Sequence, residues 1–130
     1  MLPAYFAYMF TGAIMIVVLF QFALICGAPW GHLAMGGRYP GRFPPAMRIA
    51  AFIQCVLLSL FAVVTLIRAD VLGTQYANVA DIAIWPVTLV SAASVIMNLA
   101  TPSKWERILW VPVGTVMLVS SGWLAMHGGA

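Results

Sequence analysis

Residues 49–67 read IAAFIQCVLLSLFAVVTLI, nineteen positions with no charge and no period-2 alternation. A helix needs roughly 20 such residues to cross a hydrocarbon layer about 30 Å thick. In lipid every backbone N–H and C=O must be bonded within its own segment, so an unbroken apolar run of this kind reads as helix. Three more uncharged apolar runs flank it, at 4–27, 82–100 and 108–126. With their interfacial flanks they give expected spans at about 4–27, 46–67, 80–100 and 104–126. The expected fold is all-α: a polytopic, single-domain bundle of four transmembrane helices. A cleaved signal peptide does not fit the first run, which lacks a basic n-region and is too long.

Composition agrees. The chain has 130 residues, 64% hydrophobic and only 7% charged, far too little charge to cover a soluble surface. The net charge of +3 is explained by topology rather than by nucleic acid. In a four-span chain the first and third loops share a side. Five of the six Lys and Arg residues lie there, namely Arg38, Arg42, Arg48, Lys104 and Arg107, while Arg68 alone is in the second loop. Basic short loops stay in the cytoplasm. Loops one and three are therefore expected inside, with both termini and loop two outside.

Between the first two spans lies residues 26–48, CGAPWGHLAMGGRYPGRFPPAMR, rich in glycine and proline and unusually apolar for a loop. Trp30, Leu33, Met35, Tyr39 and Phe43 alternate with glycines. Such a segment is expected to lie in the interface or between helices, where protein or water must satisfy its backbone. Arg38, Arg42 and Arg48 would then meet anionic lipid headgroups, each worth about 1 kcal/mol. Pro44 and Pro45 open the second helix, where a missing N–H costs nothing.

Few polar side chains enter the spans. Gln21 is six residues before Gly27 and Gln54 six after Arg48. At 1.5 Å per residue both lie roughly 9 Å inside the same boundary, so they meet if their helices are neighbours. Asn98 sits near the same end of the third span and would complete an amide cluster. Cys26 is at the boundary and Cys55 roughly 10 Å deeper, too far apart for a disulfide, so both are expected as buried thiols. Asp81 is expected to reach water near the start of the third span. Pro86 and Pro112 predict bends in the last two spans. Ser91-Ala92-Ala93-Ser94, and the face carrying Gly114, Ser121 and Gly122, predict close helix packing. Trp105 and Trp110 at one end and Trp123 at the other suit the interfacial aromatic belts.

The third loop contains Ser103-x-x-Glu106, a capping box in which Glu106 reaches back to the N-cap. Thr101 as N-cap with Pro102 first in the helix is the competing register. His32 follows Trp30 at the inner interface and has no partner histidine on another span. His127 belongs to the solvated C-terminal HGGA. No metal site, P-loop motif, nucleophile elbow or paired-carboxylate motif is present, and no cofactor is expected.

Gly27–Gly31 (GAPWG), Gly36–Arg38 (GGR) with its following proline and arginine, and Asn98–Arg107 (NLATPSKWER) resemble the two inside loops of a group of small bacterial four-span inner-membrane proteins. The resemblance implies a multi-pass location in the bacterial inner membrane and the four-helix architecture. It implies no activity and transfers no catalytic residue.

Three functions are compatible with this reading. The first is a non-enzymatic subunit that binds a protein partner or itself, suggested by the small-residue faces of the last two spans. The second is binding or transport of a lipid or small apolar ligand by Gln21, Gln54 and Asn98, with Trp30 and His32 of the glycine-rich loop. The third is an enzyme acting on lipid through His32 or Asp81.

Overall fold

The computed structural model describes residues 2–128 of the chain. Four helices, α1 (Leu2–Ile25), α2 (Pro45–Arg68), α3 (Ala77–Ala100) and α4 (Lys104–His127), run alternately up and down. Each is 24 residues long and apolar enough to cross a membrane, and together they make a multi-pass membrane protein. Two short 3-10 turns, Gly31–Leu33 and Met35–Gly37, lie in loop one. The helices form a ring in chain order, closed by α4 against α1, with the α2–α3 contact the sparsest of the neighbouring pairs. The end that carries loops one and three is called the basic end below.

Local sequence explains where the helices stop. Gly27 closes α1 at φ 98°, with Gly27 N–H donating to Leu24 O and Ala28 N–H to Ala23 O. This paired pattern satisfies two carbonyls that the helix would otherwise orphan. The same pattern ends α2, but there Asp70 takes the left-handed position at φ 61°, with Val71 N–H reaching Leu66 O. Arg68 is the last residue of α2 and Asp70 closes the turn that ends it. α3 and α4 each continue as one helix through their prolines.

Within the spans most hydroxyls bond to their own helices; Ser120 Oγ, fully buried in α4, has no partner. Thr11, Thr88, Ser91 and Thr115 donate to the carbonyl four residues back, at 2.7–2.9 Å. Burying a polar group in an apolar interior costs free energy unless it has such a partner. Small residues bring α3 and α4 together. A Cβ added at Gly114 would lie 3.1 Å from Val95 Cγ2, and one at Gly122 would lie 3.8 Å from Thr88 Cγ2. Ser91 is 1% exposed and Ser121 fully buried at this seam. Gly114 and Gly122 are therefore engaged against α3, whereas Ala93 of the small-residue run is exposed.

The apolar core fills the middle of the bundle through Phe10, Ile14, Leu58, Val87 and Met117. It continues toward the chain termini through Ala7, Ile84 and Leu124. At that end Arg68 ties three helices together. Its Nε donates to Leu124 O at 2.9 Å, its Nη2 to Ala125 O at 3.2 Å and its Nη1 to Asp81 Oδ1 at 2.6 Å. Asp81 is exposed, as expected of it, but it is paired rather than merely solvated.

Three expectations are corrected. Cys26 is exposed, because α1 ends beside it; Cys55 is half-buried, and both thiols are free. Trp110 is turned into the bundle instead of joining a belt, packing edge-on against Phe20 with centroids 4.8 Å apart. His127 is the last residue of α4 rather than part of a tail; it is exposed and stacks on Trp123. The final two residues of HGGA lie outside the described residues.

Candidate binding site

Toward the basic end the packed core gives way to a cavity of about 200 Å³. Every helix contributes a polar side chain to its wall: Gln21 from α1, Gln54 from α2, Asn98 from α3 and Glu106 from α4. Loop one roofs it with Leu33, Ala34, Met35 and Phe43. Val17, Phe20, Met47, Val113 and Met117 supply an apolar floor and sides. This mixture, mostly apolar with a few convergent polar groups, is what small-ligand sites are made of.

Gln21 and Gln54 do meet, Nε2 of the first donating to Oε1 of the second at 2.8 Å. Gln21 is nearly buried, whereas Gln54 also reaches the outer surface of α2. Asn98 lines the same cavity without joining the pair. Its Nδ2 donates to Ser94 O at 2.8 Å and to Ser94 Oγ at 3.3 Å, one turn back on α3.

Glu106 is the residue the sequence did not single out as a site. The local cap is half as expected: Ser103 is the N-cap, and its Oγ accepts from Glu106 N–H at 3.3 Å. The carboxylate does not reach back to close the box. It turns inward, 7% exposed, where Oε2 accepts from Thr101 Oγ1 at 3.3 Å and Oε1 from Gly36 N–H at 3.4 Å. Thr101 Oγ1 in turn accepts the Ser103 N–H that the box would have engaged.

Two more bonds fasten loop one over the cavity. Trp110 Nε1 donates to Leu33 O at 2.7 Å, and Ser103 Oγ donates to His32 O at 3.3 Å. The first half of α4 thus holds the loop by its backbone. The loop holds itself through Gly31 N–H, which donates to Gly41 O at 2.8 Å. Arg48 Nε donates to Phe43 O at 2.9 Å, and its guanidinium lies against Gly27, so this arginine ties the loop's two ends. Arg38 and Arg42 are exposed.

Family models, curated proteins and solved structures offer no match to the chain.

Of the candidate residues, then, Gln21, Gln54 and Asn98 are brought to one cavity. Trp30 and His32 are not: Trp30 stacks on Phe20 from outside, with centroids 6.3 Å apart, and the His32 ring is exposed. His32 at the basic end and Asp81 at the other do not converge. Among the described residues no group of three or more His, Cys, Asp or Glu gathers for a metal.

Proposed function

We propose that this multi-pass membrane protein binds a small amphiphile in the cavity beneath loop one. The observation that carries the reading is the convergence of polar side chains from all four helices on a single, otherwise apolar space. An ionisable residue inside a membrane bundle is a functional candidate by default, because burying it is costly. The partner-binding alternative drew on the small residues of α3 and α4, which pack against each other here. The enzymatic alternative drew on His32 and Asp81, which lie at opposite ends.

Native mass spectrometry of protein released from its own membrane is the direct test. The wild type is expected to carry a bound small molecule that is lost when Gln21 and Asn98 are both replaced by leucine. A bare chain in both cases, or a guest retained in the variant, would remove the support for this reading.

We further assign loops one and three to the cytoplasmic side of a bacterial inner membrane. The charge distribution supports the side and the loop resemblance supports the membrane. Cys26 offers a simple check, being exposed at the basic end. A membrane-impermeant maleimide should label it in inverted vesicles and not in intact spheroplasts. The opposite pattern would reverse the topology.

A further inference from the structure

The hydrogen-bonding groups of the cavity wall are unbalanced, and the imbalance has a chemical meaning. Glu106 is the sole ionisable residue in the lining. It is 7% exposed, and its two oxygens receive bonds of only 3.3 and 3.4 Å. No cation pairs with it: the one ion pair among the described residues is Arg68–Asp81, at the other end of the bundle. The nearest cation in sequence, Arg107, directs Nη1 to Thr101 O at 2.6 Å. Arg48 is engaged with Phe43 O. A buried carboxylate without a counter-charge is unfavourable, and removal of that cost favours any guest that brings one.

The neutral groups lean the same way. Asn98 uses its NH2 on the Ser94 carbonyl, which leaves Oδ1 as a free acceptor. The single bond between Gln21 and Gln54 leaves one carbonyl and one NH2 over, whichever way the two amides are oriented. Trp110 Nε1 is engaged with the loop. The cavity therefore presents a carboxylate and two amide carbonyls against one amide NH2 and the Ser94 hydroxyl.

Resting on the binding reading above, we propose that the guest is a primary ammonium carrying a small apolar body. An ammonium has three donors and no acceptor, which complements a wall rich in acceptors. Phe20 and Trp110 line the same cavity, and an aromatic face within about 6 Å attracts a cation. The apolar body would lie against Val113 and Met117. An apolar cavity of about 150 Å³ admits benzene, so this somewhat larger one suits roughly eight to ten non-hydrogen atoms. The exposed Arg38, Arg42 and Lys104 outside the roof act across solvent, where salt screens them within about 8–10 Å.

The test uses the whole protein in lipid nanodiscs and three probes of one shape: 2-phenylethylammonium, 2-phenylethanol and phenylacetate. Calorimetric titration should rank the ammonium at least tenfold tighter than the alcohol, with phenylacetate weakest. Glu106→Gln keeps a group able to meet Thr101 and Gly36, and it should erase the difference between ammonium and alcohol while helical content is unchanged. Asp81→Asn, which removes a carboxylate at the far end, should leave the ranking intact. Should Glu106→Gln fail to fold, the wild-type ranking decides alone. Equal binding of ammonium and alcohol, or tighter phenylacetate, overturns the ammonium assignment and leaves the cavity reading standing. Binding of none of the three also overturns it, and the co-purification test then judges the cavity by itself.

Discussion

Gly31→Ala should unfasten loop one while leaving the four helices assembled. A Cβ at this position would sit 1.8 Å from Tyr39 O and 2.7 Å from Gly41 O. Both obstacles are backbone, so no rotamer change can relieve them. The Gly31 N–H bond to Gly41 O has to break, and the turn that presents Leu33 O and Gly36 N–H to α4 opens with it. Overpacking of this kind costs about 1–3 kcal/mol and occasionally more. At about 3 kcal/mol, loop opening rises roughly a hundredfold, since 1.4 kcal/mol is a factor of ten. Trypsin reports it, because Arg38 and Arg42 are exposed within the loop. Cleavage there should accelerate strongly in the variant, whereas Gly12→Ala, at a helical site with nothing within 4 Å of the new methyl, should not change it. Equal cleavage in Gly31→Ala and wild type would mean that the loop is not closed around this contact.

Arg68→Met should be the most destabilising single change at the other end. The guanidinium supplies donors to two carbonyls of the last turn of α4 and to Asp81. Positive charge there is also favoured by the helix dipole. A hydrogen bond to a charged group is worth about 1.5–3 kcal/mol, and the two carbonyls are left without this donor. The Asp81 pair adds little, since that side chain is 52% exposed and such pairs contribute roughly 0–1 kcal/mol. A loss near 3 kcal/mol is expected in unfolding from mixed micelles, with Asp81→Asn costing less than about 1 kcal/mol. Arg68→Lys should fall between, because an ammonium lacks the planar fork. If Arg68→Met unfolds at the wild-type midpoint, the clamp is not what closes this end.

The spans were legible because hydropathy and charge are properties of contiguous residues. The Gln21–Gln54 meeting was legible for a similar reason. Adjacent helices of a hairpin measure depth from the same turn, so counting residues from Gly27 and from Arg48 locates both amides. Glu106 was not legible. Ser103-x-x-Glu106 accounts for an acid completely within four residues, while its actual partner Gly36 is 70 positions away. Trp110 failed the same way: a tryptophan near a span end is normally interfacial, and only the docked loop gives its Nε1 a reason to face inward. Cys26 was misjudged because α1 stops at Ile25, two residues short of the expected span end, and burial changes abruptly there.

Loop one is bonded by Ser103, Glu106 and Trp110, which follow it by 70 to 77 residues. At a synthesis rate of about 5–20 residues per second, the first hairpin waits roughly 4 to 15 seconds for these partners. During that interval the glutamine pair has no roof, and the carbonyls of His32 and Leu33 have only water or lipid headgroups to bond. Assembly of the site thus waits for the first half of α4. A chain arrested before Ser103 would hold its first three helices with the amides Gln21 and Gln54 uncovered.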